Sequence, residues 1–223
     1  MSKIELQNIF PYGNVIYEIG KYFSLFIITI SCYIWNFTDL FIILVSTGLA
    51  ERYKYLNNVT MTSIMWDDHV AYWQELRKNY SSLSKIVKQT DKILSPLIFI
   101  SCFHNFSFIC LRLLIGISPN GDFSFTSIYP FLSFVFVVVR MLTVMFSIAR
   151  INDNSKNSLA VIFTCEQSKY TIETERLQYQ LANDKIALSA MNFFFITRNF
   201  IVTVAGAVFT YEIMLLQFSK SGK

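Results

Sequence analysis

Four long apolar runs, at about residues 22–48, 94–117, 127–149 and 195–218, constrain this chain more than any other feature. A helix needs about 20 apolar residues in succession to cross the hydrocarbon core of a bilayer. In lipid the backbone must satisfy its own hydrogen bonds, so such runs are read as helices. The stretch 131–139 is almost wholly Phe, Leu and Val, and 99–117 is broken only by a few polar residues. The expected fold is all-α: a polytopic transmembrane helix bundle of four spans, with residues 1–223 as a single membrane domain. The charge content agrees. Only 15% of residues are charged, against about 25% in a typical soluble domain.

Basic residues set the expected direction. Arg52, Lys54, Arg77, Lys78, Lys85, Lys88 and Lys92 follow the first run; Arg150, Lys156, Lys169, Arg176 and Lys185 follow the third. The short connection 118–126 has no Lys or Arg, and its Pro119-Asn-Gly-Asp122 suits a tight reversal. The positive-inside rule then places both long connections in the cytosol. Four spans return the chain to its starting side, so both termini are expected outside, at the plasma membrane. A heptahelical G-protein-coupled receptor ends in the cytosol and is disfavoured on that ground. The glycosylation sequons at Asn58 and Asn79 fall in a connection read as cytosolic, and those at Asn36 and Asn105 fall inside spans. The charge bias outweighs these short motifs.

Both long connections, 50–93 and 150–193, are expected to be helical cytosolic extensions. Trp66, Val70, Trp73, Leu76, Tyr80, Leu83 and Val87 recur every three or four residues, which is the helical period. Ile172, Leu177, Leu181, Ile186 and Leu188 repeat it more weakly.

Several function classes find no support. The charges sit between the apolar runs and form no basic stripe, which argues against nucleic acid. Polar residues from Glu5 to Glu18 interrupt any signal-peptide core. Cys32, Cys102, Cys110 and Cys165 form no CxxC pair, and His69 and His104 fall in different compartments. No metal, cofactor or catalytic constellation is expected.

The polar residues within the runs are the candidates for function. An Asp at the centre of a membrane helix costs about 2.5–3.5 kcal/mol on insertion scales, so Asp39 must face a partner, a bundle interior or water. Trp35, Asn36 and Asp39 fall on one side by helical spacing. Indole, amide and carboxylate suit a sugar, and they equally suit a hydrogen-bond network between helices. Asn105 and His104 in the second run and Arg140 in the third are further intramembrane polar groups. Arg140 either pairs with Asp39 or extends towards the cytosolic boundary. Arg198 is expected as an interfacial anchor. In the last run Asn199, Thr203, Gly206, Thr210 and Gln217 share one face, which suits close helix packing or a water-lined pore.

That run also carries Thr210-Tyr211, five residues, then Gln217-Phe218. With Phe193–Arg198, Val204-Ala-Gly206, Trp35–Phe41 and Arg150-Ile-Asn-Asp153, this pattern resembles the insect gustatory receptors, the sugar-receptor subgroup in particular. The resemblance implies a ligand-gated cation channel of four subunits, as a homo- or hetero-tetramer in the lipid of chemosensory cells. It also implies seven spans, so the four here would match the last four. It places the pore and gate at Thr210, Tyr211, Gln217 and Phe218. It implies a sugar or other small tastant, for which Trp35, Asn36, Asp39 and Asn105 are the candidate pocket residues. A non-conducting truncated partner that assembles with longer receptors is the rival reading. A transporter is a third, though the chain shows no internal repeat.

Overall fold

A computed structural model describes residues 11–64, 70–117, 128–163 and 170–221. Trp66, His69, Cys165, Lys169 and the expected turn at Pro119–Asp122 lie outside the described residues.

Four long helices carry the apolar runs. They are α1 (Pro11–Ile64), α2 (Val70–Ile117), α3 (Ile128–Phe163) and, further on, α5 (Arg198–Ser221). Each is long and apolar enough to cross a membrane. Between α3 and α5 come the short helix α4 (Ile172–Asn183) and a hairpin of two strands, β1 (Ser189–Ala190) and β2 (Phe194–Phe195). Helix α2 has 48 residues, about 72 Å at 1.5 Å per residue. A hydrocarbon core of about 30 Å accounts for less than half of that. The remainder of α2 lies outside any bilayer and must find protein to pack against.

The chain divides into two compact units after Thr38, within α1. In the first unit, residues 17–34 are exposed throughout, and Trp35 and Thr38 are half-buried. Its polar side chains bond to their own helix. Thr29 Oγ1 donates to the Leu25 carbonyl at 2.8 Å, Thr38 Oγ1 to Ile34 at 2.8 Å, and Asn36 Nδ2 to Cys32 at 2.8 Å. Such back-bonding satisfies a hydroxyl or amide donor within its own helix.

The second unit, Asp39–Lys223, buries its largest side chains, Trp73, Tyr53 and Tyr80, where the helices extend beyond the apolar runs. Trp73, Leu76, Tyr80, Leu83 and Val87 of α2 are all buried, as their spacing predicts. Tyr53 of α1, Ile151 of α3 and Leu177 of α4 are fully buried as well. Ile172 departs from the expected stripe. It is exposed, because the buried side of α4 is formed by Glu173, Thr174 and Leu177. Leu177, Ile186 and Leu188 are buried.

Polar side chains tie this region together. Asn57 Oδ1 accepts from Tyr80 Oη and Ser158 Oγ, each at 2.7 Å, while its amide donates to the Asn154 carbonyl at 2.8 Å. One side chain thus joins α1, α2 and α3. The run from Arg150 to Asn154 acts as a clamp. Arg150 pairs with Glu51, Asn152 Nδ2 donates to the Ile186 carbonyl at 3.0 Å, and Asn154 Nδ2 donates to Ala50 at 2.8 Å. Asp153 takes Arg198 Nε at 2.5 Å, fixing the start of α5. The expected interfacial anchor Arg198 is therefore part of an ion pair. Asp184, at the end of α4, accepts from Ser84 and Lys88 of α2. Burial pushes its carboxyl up, but the bonds from Lys88 and Ser84 and the Lys88 charge outweigh that. The net pKa lies below the ordinary carboxylate value.

The segment 150–193 is not helical throughout, and this corrects the expectation. In the hairpin, Ser189 pairs with Phe195 and Ala190 with Phe194 in antiparallel register. Met191 and Asn192 turn it with φ of 51° and 60°, in the left-handed region that non-glycine residues seldom adopt. Side chains of α2 hold the backbone there. Asp91 Oδ1 accepts the Ser189 N–H at 2.6 Å, and Ser95 Oγ accepts that of Met191 at 2.6 Å. These bonds take N–H groups that a helix would have used itself. Helix α5 accordingly starts at Arg198, three residues after the expected start of the last span.

Candidate functional site

Asp39 is the most demanding residue of the apolar region, because an ionised carboxylate there needs both a counter-charge and hydrogen bonds. It is 1% exposed. Arg140 of α3 approaches with Nε 3.1 Å from Asp39 Oδ2. Ser101 of α2 donates to Asp39 Oδ1. Asn105, one turn later on α2, fills the space between. Its amide donates to the Ser101 carbonyl at 2.9 Å and reaches Asp39 Oδ2 at 3.3 Å. Its Oδ1 accepts from Arg140 Nη2 at 2.9 Å. The guanidinium also lies over the Phe136 ring, 5.7 Å from its centroid, within reach of cation–π attraction.

The four side chains form one closed circuit across α1, α2 and α3. The structure thus decides between the two fates open to Arg140: it pairs with Asp39. Of the candidate pocket residues, Asp39 and Asn105 are brought together. Asn36 donates within its own turn, and Trp35 is half-buried in the N-terminal unit. Ser101 was not singled out from the sequence, although its four-residue spacing from Asn105 is the signal that places both on one face.

Helix α5 has two unlike sides. Ile201 is buried and Val204, Val208, Tyr211 and Leu215 are half-buried. Asn199, Thr203, Gly206, Thr210, Gln217 and Phe218 are exposed. The hydroxyls on that exposed side fold back, Thr203 Oγ1 to the Asn199 carbonyl at 3.0 Å and Thr210 Oγ1 to Gly206 at 2.9 Å. An added Cβ at Gly206 would meet nothing within 4 Å, so no neighbour among the described residues requires glycine there. Of the four candidate gate residues, Thr210, Gln217 and Phe218 lie on the exposed side and Tyr211 on the packed side.

The trehalose receptor family model matches residues 1–223, the whole of the sequence. This chain belongs to the trehalose receptor family. It is 30% identical over 222 residues to the gustatory receptor 5a for trehalose of Drosophila melanogaster, covering all of this chain and 49% of that receptor. It is also 30% identical over 199 residues to the gustatory receptor for sugar taste 64f of the same organism, covering 89% of this chain and 41% of the relative. The chain spans about half the length of the curated relatives it matches. The fold is similar to that of the insect olfactory receptor OR5 from Machilis hrabei, solved in complex with eugenol. The TM-score is 0.63 at 15% identity, over 81% of this chain and 47% of that one. The resemblance carried by the last span and the Arg150–Asp153 motif is thereby confirmed as family membership, and the relatives are receptors rather than enzymes.

Within this trehalose receptor family member, the Arg150–Asp153 motif has a visible mechanical use, since three of its four residues bind three different segments. The Asn57 node lies outside the motifs that carry the resemblance, and Asn57 shares the buried face of α1 with Tyr53 and Thr60 at helical spacing.

Proposed function

We propose that the chain is a gustatory receptor subunit of sugar-gated cation-channel type, corresponding to the last four spans of a seven-span receptor. In this reading it lies in the plasma membrane of a chemosensory cell with its C-terminus outside, and α5 lines a pore shared by four subunits. The observation that carries the proposal is the exposed face of α5. Small and polar side chains recur along it and end in Gln217 and Phe218, while the opposite face packs on its own subunit. Repeated about a fourfold axis, such a face offers water a polar wall and offers Phe218 as a dry constriction. The trehalose and sugar relatives support a sugar as the agonist.

The Asp39 circuit supports a sugar-responsive role on chemical grounds. A carboxylate, an amide and a guanidinium are groups that pair with hydroxyls, and because they are buried and bonded to one another here, a sugar reaches them only by opening the circuit. Trp35 and Asn36 remain candidates by residue type. A sugar opens the pore only if it binds better when the bundle is in its open arrangement.

The test is electrical. Cells expressing the chain alone, and cells expressing it with a full-length sugar receptor, are challenged with trehalose, sucrose and glucose under voltage clamp. Sugar-evoked cation current that depends on this chain is the expected result. Surface delivery with a full-length partner and a reduced current would instead favour a non-conducting partner. An unpermeabilised C-terminal epitope that stains confirms the orientation, and one that stains only after permeabilisation overturns it.

A further inference from the structure

The β1–β2 hairpin stands between two cavities, one bordered by charged side chains and the other by none. One, of about 550 Å³, is bordered by Lys88, Lys92, Lys185, Ser95, Asn192 and Phe195 among others. The other, of about 270 Å³, is bordered by Phe99, Phe103, Met145, Phe194 and Phe200 among others, with Thr203 its one hydroxyl. Adjacent strand residues point to opposite faces, so Phe195 and Phe194 enter the two walls from one strand. Along α2 the order is charge, then hydroxyl, then hydrocarbon: Lys88 and Lys92, Ser95, then Phe99 and Phe103. The change falls where the second apolar run begins. Around it, exposed apolar side chains gather at Ile93, Met191 and Phe193, which are 71%, 46% and 73% exposed.

The charges do not cancel. Asp91 and Asp184 stand against the three lysines. Asp184 holds Lys88, and Asp91 accepts from Ser189. Lys92 and Lys185 are exposed and enter no ion pair among the described residues. A ligand that fits both cavities carries an anionic group and a long apolar chain, joined over about two helical turns, the rise from Lys92 to Phe99.

We propose that these cavities hold one anionic phospholipid, its headgroup among Lys88, Lys92 and Lys185 and an acyl chain along Phe99, Phe103 and Phe194. A free phosphate leaves the apolar cavity unused, and a zwitterionic lipid leaves the lysines half-satisfied. The positive-inside direction puts this level at the cytosolic leaflet, where anionic lipids concentrate. The lipid would brace the hairpin, and through it the start of α5.

The test uses the purified full chain and native mass spectrometry with added dioleoyl phosphatidylserine or dioleoyl phosphatidylcholine. Phosphatidylserine is expected to be retained preferentially. Lys92→Ala with Lys185→Ala is expected to cut that preference about fivefold or more, the scale of one lysine near a charged surface. Lys54→Ala with Lys156→Ala, both exposed lysines outside the cavity, is expected to leave it unchanged. Equal retention of the two lipids, or an equal loss in both double variants, overturns the proposal. Glycerophosphoserine has the headgroup without the chains. Displacement of the lipid by it at matching concentration would show an anion site only, and would also overturn the proposal.

Discussion

The two ends of this bundle are held by different means. Where the helices extend past their apolar runs, Trp73, Tyr53, Tyr80 and Leu177 are fully buried, and Asn57 beside them takes hydrogen bonds from Tyr80 and Ser158. Within the runs, packing is sparse. Only a third of the most apolar window of α2 or α3 is buried, and 6% of that of α5. The difference follows from the solvent each end meets. In water, apolar burial drives the core. In lipid there is no such drive between apolar helices, so contact relies on close packing and polar bonds. One circuit at Asp39 does across three spans what an extensive core does at the other end.

The largest effect expected comes from breaking that circuit. Arg140→Leu leaves Asp39 buried without a counter-charge, a change that costs about 3–5 kcal/mol. The purified variant should unfold at a clearly lower temperature in detergent. Asp39→Leu combined with Arg140→Leu should recover much of the loss, because the penalty lies in the unpaired charge. A single variant as stable as wild type would show that water or lipid headgroups already solvate Asp39.

A smaller loss is expected at the other end from Asn57→Leu. It removes the acceptor shared by Tyr80 and Ser158, leaving them the longer contacts to Thr60 at 3.4 Å and to the Asn154 carbonyl at 3.2 Å, at about 1–3 kcal/mol for weakened buried partners. Because the surrounding core is extensive, the loss should be confined. Hydrogen exchange should quicken around residues 50–60 and 150–160 and remain slow near Asp39. Uniform quickening would mean that the two ends unfold as one unit, and the contrast drawn between them would fail.

How much of this was legible follows the same division. The buried stripe from Trp73 to Val87 was readable because a helix against a core repeats its apolar residues at 3.6. Asp39 was readable as demanding a partner, since charge in an apolar run is conspicuous. Its pairing with Arg140 was open in the sequence, because which helices neighbour one another is a tertiary fact. The hairpin was not legible. Ser189–Phe195 lacks the Asn-Gly or Asp-Gly dipeptide that marks such turns, and the bonds that hold it come from Asp91 and Ser95, about 100 positions earlier. Ile172 misled because the first turn of α4 turns Glu173 and Thr174 inward instead, with Glu173 paired to Arg77 and Arg176.

Acid separates the two ends more gently. Asp184 is held below its ordinary pKa in the folded chain, so it stabilises the fold at pH above the unfolded carboxylate value. That contribution fades as pH falls through the lower, folded value. Lys88 is largely exposed, so the effect is well under about 1 kcal/mol. The acid-side loss of stability should be slightly shallower in Asp184→Asn than in wild type. Identical acid limbs would remove Asp184 from the account of how α4 is anchored.

The smallest effect on stability, and the most telling for function, is expected at Phe218. Its side chain is 71% exposed and packs on nothing that a lone chain needs. Phe218→Ala should shift stability by no more than about 0.5 kcal/mol, as surface changes do. In an assembled channel the same residue, repeated around the axis, is proposed to keep a narrow passage dry. Removing the ring should then raise current in the absence of sugar. Gln217→Ala should alter conductance or ion preference instead, because an amide replaces part of an ion's water shell only in the open state. Both are read from currents in a full-length subunit carrying the same motif, with surface expression matched. Wild-type basal current and conductance in both variants would move the gate away from this end of α5. Its exposed face would then be a packing surface between subunits, the membrane counterpart of the core at the opposite end.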